Sequence, residues 1–493
     1  MHADTAASLS DALRRALAAH AAAGRAAFDG PGGPVSYAAL AERIARVAGG
    51  ARDWGLRHGE AVGLLVPRNV DAVCLFFGVM QAGGCPCVIE PRLQAAEVAA
   101  RLAAVGIRRL VVAGSELAEP VGPDAWGPDV TACAPERLLD GRPDAGAPLA
   151  RADHAMMQFT SGSTGQPKGV LLTHGNLLAN ARGVLAHTGV TPADRLLHVM
   201  PLYHTNGINN QLVVPLLAGA TLVLIERFRA EQTAAQIAQY GATYMTGVPT
   251  MYSRMLPHLG DRGLLKTLRF LRCGSAPITP TLHEQIEAAF GVPLVVSYGL
   301  SEATCTSTMN PPYARRIGTI GTVLAGQQVK LFHAGSTEEV APGSDGEICI
   351  AGPCLMKGYV GADAEQPVRD GWLRTGDLGR FDADGYLSIT GRIKDVIIRG
   401  GENIAPQAIE SVLVAHPAVR ACCVVAGKHT DLGEVPVAFV VLREDGGATP
   451  QELQALVERR LSRMYVPAEV RSEAALPENA VGKVDRKALK ARV

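Results

Sequence analysis

Little in these 493 residues points to a membrane, a secretory route or a polyanionic partner. The opening stretch MHADTAASLSDALRRALAAH has neither the basic start nor the apolar core of a signal peptide. The longest apolar run, AVCLFFGVM (72–80), falls far short of the roughly 20 residues of a membrane-spanning helix and suits a buried one. Lysine plus arginine (47) equals aspartate plus glutamate (47), so no basic field advertises nucleic acid or an anionic membrane surface. Ten cysteines are present but no C-x-x-C pair, and neither Cys85/Cys87 nor Cys422/Cys423 has zinc or redox spacing. They read as reduced and mostly buried, as expected of a cytoplasmic chain. The length suffices for several packed cores, on the order of three lobes.

A Walker A loop is missing too, although one segment approaches it. FTSGSTGQPKGVLLTH (159–174) concentrates glycine, hydroxyls and one lysine. Backbone N–H groups, the hydroxyls of Thr160, Ser161, Ser163 and Thr164, and the Lys168 cation all suit an anion such as phosphate, with Gly162 and Gly165 allowing close backbone approach. A surface turn has the same composition. Counted from Gly162, however, Pro167 precedes the lysine and Gly169 follows it, which breaks G-x-x-x-x-G-K-[ST]. The flanks AMMQF (155–159) and VLLTH (170–174) read as strands, so the loop joins strand to strand. This excludes a P-loop nucleoside triphosphatase.

The rest of the chain alternates. A helix over 37–55, a strand over 61–67, a helix over 70–84, a strand over 86–90, a helix over 94–106 and a strand over 108–114 predict a doubly wound βαβαβ unit with a parallel sheet. Residues 115–152, rich in Pro, Gly, Ala and Asp, read as a surface connection. A second alternating block has strands at 195–201, 220–226, 268–273 and 293–299, so CGSAPI (273–278) and SYGLSEAT (297–304) fall at carboxyl ends of strands, where such sheets bind ligands. From about 315 the pattern turns to β, with a hairpin signal at Asp384-Gly385. After Arg392 a small α+β unit follows, with a capping box at Thr449 and Glu452. The fold class is α/β: a large multi-lobed N-terminal domain with doubly wound sheets and a β-rich lobe (1–391), then a small α+β domain (392–493).

Seven stretches in order, TSGSTGQPKG (160–169), PLYHTNG (201–207), GSAPI (274–278), YGLSEAT (298–304), WLRTGDLG (372–379), GRIKDVIIRGGENIAPQAIE (391–410) and GKVDRKAL (482–489), resemble the adenylate-forming superfamily of acyl-CoA synthetases and adenylation domains. The resemblance covers nearly the whole chain. It implies a mobile C-terminal domain and two steps: a carboxylate attacks ATP to give acyl-AMP and pyrophosphate, then a thiol takes the acyl group. The thiol is coenzyme A or a carrier-protein phosphopantetheine; no carrier domain follows Lys483, so such a protein would act in trans. The resemblance implies phosphate binding by Thr160 to Lys168, and Mg²⁺ at Glu302. It implies adenine between Gly274, Ser275 and Ala276 on one side and Tyr298 on the other, with Ser297 and Gly299 beside it and Ser301 at the α-phosphate. Asp377 suits the ribose diol and Arg392 the ribose or phosphates. Lys483 matches the mobile lysine that neutralises charge as acyl-AMP forms, Lys394 the domain hinge, and Gly400 and Gly401 the pantetheine tunnel. A catalytically inactive nucleotide-binding module is the rival reading from another class; retention of Lys168, Glu302, Asp377, Arg392 and Lys483 together opposes it.

For the acid, amino-acid-activating relatives place an aspartate near 204–205; here His204 and Thr205 stand there, which argues against an α-amino acid. His204 resembles the aromatic gate of acyl- and aryl-CoA synthetases. Asn206, Thr246, Gly247, Cys273 and Leu300 are expected around the acyl group, and Asn206, Asn209 and Asn210 cannot all face inward from an α-helix. YHTNG and GVPTMYSRML (247–256) resemble malonyl-CoA synthetases, but the arginine those carry before Tyr-Gly is Ser297 here, which weighs against a dicarboxylate. Arg272 is a substitute only if strand alternation turns it toward the pocket. A medium-chain or small functionalised acid is the favoured substrate.

Overall fold

The computed structural model describes residues 6–114, 122–161, 167–361, 366–443, 446–478 and 484–493. Its frame is a nine-stranded sheet in which the strands Ala26–Gly30, Thr221–Leu224, Arg195–His198, Tyr244–Gly247, Phe270–Cys273 and Leu294–Tyr298 run parallel, with antiparallel strands at both edges. The strands are short and apolar, and helices cover both faces. The two faces belong to two separate apolar clusters, one with Tyr244, Phe270 and Val295, the other with Met245, Leu271, Cys273 and Leu294.

The expected βαβαβ unit is present. Ala61–Leu65 pairs in parallel with Cys85–Val88 and Arg109–Val112, and the apolar run is the buried helix Val70–Gln81, capped by the Asn69 side chain. The connection after it is not merely superficial. Thr131–Cys133 adds a fourth parallel strand, and Glu136–Leu139 forms a helical turn that buries Leu138 completely against the helix Tyr37–Asp53. A Cβ on Gly50 would lie 2.5 Å from the Leu138 carbonyl oxygen, so glycine there permits the close packing. Three strand residues and one helical turn are too short to leave a periodic pattern.

The strands His154–Ser161 and Pro167–Thr173 form the hairpin expected around the glycine-rich loop, with Thr160 opposite Lys168. A five-stranded antiparallel sheet follows, including the hairpin of Trp372–Phe381 and Leu387–Arg392 across Asp384 and Gly385. The chain then leaves that sheet through one short turn, Ile393–Asp395, and enters a separate five-stranded sheet at Ile397–Arg399. The helices Pro406–Val414 and Pro450–Arg460 pack on this last sheet, the second opened by the Thr449–Glu452 capping box. All ten cysteines are free and seven are buried. Among the described residues, no helix is long and apolar enough to cross a membrane.

Candidate active site

The carboxyl ends of four adjacent parallel strands deliver most of the named residues to one edge of the large sheet. After Phe270–Cys273 the chain turns at Ser275, whose φ of 65° lies in the left-handed region. After Leu294–Tyr298 it turns again through Thr304 (φ 63°) and Cys305 (φ 114°). Non-glycine residues in this region cost about 1–3 kcal/mol each and persist where the surroundings hold them, commonly at ligand sites. Gly299 belongs to the same turn: a Cβ there would sit 2.0 Å from the Cys305 carbonyl oxygen, so only glycine lets the two arms of the loop cross.

Three distant motifs meet through hydrogen bonds. The Tyr298 hydroxyl donates to one carboxylate oxygen of Asp377 at 2.7 Å, and Arg392 Nε donates to the other at 2.7 Å. Burial, then the neighbouring carboxylate, pushes the Tyr298 phenol well above its ordinary range, so it stays a neutral donor. Asp377 is buried while Arg392 is half exposed. A second group forms beside the hairpin: Lys168 Nζ lies 5.3 Å from the centre of the Tyr359 ring, and the Tyr359 hydroxyl donates to Glu302 at 2.6 Å. Tyr359 was not among the expected site residues. It reaches them because Gly358–Val360 adds a strand to the hairpin, opposite Gly169–Leu171, a pairing 57 residues from Glu302 in sequence that no local pattern announces.

On the acyl side, the His204 ring packs tilted, at 55°, against that of Tyr203 with ring centres 4.7 Å apart, and the Thr205 hydroxyl lies 3.4 Å from that of Ser301. Asn206–Val213 is a π-helix, and Asn206, Asn209 and Asn210 are all buried. All three are buried because the helix is enclosed all round, yet they do not share one side, as expected: Asn209 turns to Asn180, whereas Asn210 turns to Asn206, Cys305 and Thr306. Asn209 donates to Asn180 at 2.9 Å, while Asn210 Nδ2 lies 3.0 Å from Asn206 Oδ1, Cys305 Sγ and Thr306 Oγ1. Wider π turns recur at functional sites. His198, below, is buried against the Gly207 carbonyl, and burial lowers it to about 3, so it is neutral.

Strand alternation divides the remaining acyl candidates. Thr246 pairs with Arg272 in register, so both face the side of Tyr244 and Phe270. Gly247 and Cys273 take the opposite side: Cys273 is packed in the apolar cluster with Leu271 and Tyr252, and a Cβ on Gly247 would meet the Tyr252 ring at 3.2 Å. The structure therefore does not bring Cys273 to the face of Thr246 and Asn206. Leu300 is half-buried against the Cys273 cluster. Ser297 Oγ donates to the Cys273 carbonyl at 3.4 Å, and Gly274 N–H to the Gly247 carbonyl at 3.3 Å.

In the small unit Lys394 is exposed in the turn between the two sheets, and Gly400 and Gly401, with φ of 58° and 89°, form the tip of the hairpin Ile397–Arg399 to Glu402–Ile404. Gly162, Ser163, Thr164, Gly165 and Lys483 lie outside the described residues. The chain on either side of Lys483 is tied together by a bridge between Glu478 and Val484 and by the Asp485 N–H donating to the Pro477 carbonyl at 2.7 Å.

The model of the AMP-binding enzyme family matches residues 14–360, and that of the AMP-binding enzyme C-terminal domain matches 408–483. The chain is 35% identical over 474 residues to a sulfoacetate–CoA ligase of Cupriavidus necator, covering 92% of each protein. It is 36% identical over 461 residues to a feruloyl-CoA synthase of an Amycolatopsis species, covering 92% of this chain and 93% of the relative. Among solved structures, the o-succinylbenzoate coenzyme A synthetase of Bacillus subtilis in complex with ATP and magnesium superposes with a TM-score of 0.84 at 28% identity, over 96% of this chain and 99% of that one.

Proposed function

The chain belongs to the AMP-binding enzyme family and is an AMP-forming acid–CoA ligase, and on that premise we propose how its residues divide the work. The observation that carries the assignment is the hydrogen-bonded chain Tyr298–Asp377–Arg392, which joins the YGLSE, RTGD and GR segments at one strand edge. Asp377 accepts the ribose hydroxyls, Tyr298 stacks on adenine opposite Gly274, Ser275 and Ala276, and Arg392 turns to ribose or phosphate. Ser297 and Gly299 flank the base, and Ser301 contacts the α-phosphate.

The acid carboxylate attacks the α-phosphorus, the bond to the bridging β-oxygen breaks, and pyrophosphate leaves. Thr160, Ser161, Gly162, Ser163, Thr164 and Gly165 hold the departing phosphates, with Lys168 balancing their charge. Among the described residues no three His, Cys, Asp or Glu side chains gather as a metal-ligand set. One carboxylate, Glu302, fits magnesium, which takes one or two carboxylates together with phosphate oxygens and neutralises phosphate charge when bound. Lys483 stabilises the charge developing between carboxylate and phosphate, and His204 borders the carboxylate. In the second step coenzyme A sulfur attacks the acyl carbon and AMP leaves. Residues 392–493 turn as a unit at Lys394 to bring Gly400 and Gly401 to the thiol, a reading supported by the single exposed turn between the two sheets.

The acid is a small functionalised or medium-chain carboxylate. The sulfoacetate and succinylbenzoate relatives act on acids with a second anionic group, the feruloyl relative on one without. A cytoplasmic location fits ten unpaired cysteines. The test is pyrophosphate release with Mg-ATP over a panel of acids, each with and without coenzyme A. Turnover requiring coenzyme A and peaking on one acid supports the assignment; slow, single-turnover release whatever the small thiol indicates a carrier-protein acceptor; no release with any acid refutes it. Lys483→Ala should lower the adenylation rate roughly 100- to 1000-fold, about 2.7–4 kcal/mol. Transfer from supplied acyl-AMP should be largely spared, and equal loss of both steps refutes the role of Lys483.

A further inference from the structure

Among the described residues Arg272 is the bulkiest fully buried side chain, at 1% exposure. Among the described residues its Nε and Nη2 have no hydrogen-bond partner and no carboxylate pairs with it. The titratable groups its charge acts on are Cys305, Tyr244 and Tyr252, with His187 on the helix side. Burial favours the neutral form of each: it raises the thiol and both phenols and lowers the imidazole. The hydroxyls of Tyr244 and Thr246, on the same strand face, are also buried without a partner. Arginine cannot shed its proton as a buried lysine does, so this is a fixed positive charge in a neutral, polar lining. An unpaired buried charge is among the costliest features a fold can carry, and the fork of the guanidinium matches an oxyanion.

Its place relative to the reacting centre follows from the contacts. Thr205 approaches Ser301 at 3.4 Å and also faces the Cys305 thiol. Cys305 is held at φ 114° with its thiol 3.0 Å from Asn210 Nδ2, and its thiol and the Arg272 charge act on one another. The guanidinium lies on the strand face of Thr246, with which Arg272 is in register at the carboxyl end of the sheet. This position matters to substrate choice only if the acid is activated there, so the inference rests on the ligase assignment above.

We propose that Arg272 determines specificity by binding a second oxyanion, carboxylate or sulfonate, at the far end of a short acid whose first carboxylate is adenylated. Ser297, at the position where malonyl-type enzymes carry arginine, then signals a relocated cation instead of a monoanionic substrate.

The test compares kcat/KM, by coenzyme A-dependent pyrophosphate release, for malonate, succinate, glutarate and their ω-sulfo counterparts against propionate, butyrate and valerate. The wild type should favour one of the dianionic acids over its uncharged-tail isostere by at least ~100-fold, since a site built to pair a polar group strongly rejects the analogue lacking it. The carboxylate and sulfonate arms identify which oxyanion is bound. In Arg272→Met that ratio should collapse by a similar factor, and Arg272→Lys should restore part of it. A folded Arg272→Met that keeps the wild-type ratio overturns the proposal. So does a wild type whose best acid has an uncharged tail, a result that stands even if the variant does not fold. If no acid of any class supports turnover, the ligase assignment falls first, and this inference with it.

Discussion

Two arginines in the two units answer the same physical problem in opposite ways. Arg486 packs in the small unit with both Nη1 and Nη2 engaged. Nη2 reaches the two oxygens of Glu410 at 2.7 and 2.8 Å, and Nη1 donates to the Val424 carbonyl at 2.8 Å. Glu410 also accepts from the Val424 N–H at 2.7 Å, so the pair staples helix, strand and C-terminal turn. Arg272, more deeply buried, has neutral neighbours and unmatched donors. A charge that is fully paired within the chain holds the fold together. One left unpaired lowers stability and is available for a ligand. The nucleotide side of the large unit resembles Arg486 in this respect, since Arg392, Asp377 and Tyr298 satisfy one another.

The sharpest way to break the comparison is at Asp377. If its carboxylate serves the nucleotide and does not merely pair Arg392 with Tyr298, Asp377→Ala should lower kcat/KM for ATP by roughly 100- to 1000-fold, the loss typical of one preorganised polar contact. Steady-state kinetics with varied Mg-ATP measure it, and a loss under tenfold would assign Asp377 to structure. Next comes Glu410→Ala, which leaves Arg486 uncompensated. Breaking a buried pair costs about 3–5 kcal/mol. Because the Arg486 side chain is still 31% exposed, the lower part of that range is expected, read from urea unfolding of the small-unit transition.

A third effect is acid instability. Burial lowers His174 to about 4 and His198 to about 3, both below the usual histidine value of 6.5. The folded state therefore binds fewer protons than the unfolded one, and stability present above pH 6.5 is lost as the pH falls toward 4. Each histidine contributes about 1.4 kcal/mol per pH unit in that window. His198→Asn should flatten the slope of unfolding free energy between pH 6.5 and 5; an unchanged slope would show that His198 does not carry it.

These contrasts also mark what was legible beforehand. The nucleotide residues sit in contiguous stretches whose chemistry is recognisable residue by residue, and the parallel sheet follows from alternating apolar runs. What stayed hidden depends on distant parts of the chain. Tyr359 meets Glu302 only through an added strand. The π-helix at Asn206 looks like any helix at i, i+3 spacing, and the short strand Thr131–Cys133 is too brief for a period. Arg272 was visible as a charge in the apolar run LRFLRC, but its face depended on register with Thr246, which only the assembled sheet supplies.

The smallest expected effect is the most diagnostic for the comparison, because its sign differs from that of the Glu410 variant. Replacing a buried charge by an apolar side chain of similar length removes a desolvation penalty, and such exchanges are often neutral or stabilising by about 1–4 kcal/mol. Arg272→Met should therefore raise the unfolding free energy of the large unit, read from urea unfolding, by about 1 kcal/mol after allowance for imperfect packing of the flexible thioether. Tyr252 would be unaffected in its main anchor, because its hydroxyl donates at 2.6 Å to the backbone carbonyl of Arg272, which the substitution keeps. A downward shift of 2 kcal/mol or more would mean that the guanidinium has structural partners, and the two arginines would then differ only in depth. An upward shift together with a lost preference for dianionic acids would identify a residue kept for its ligand at the expense of the fold.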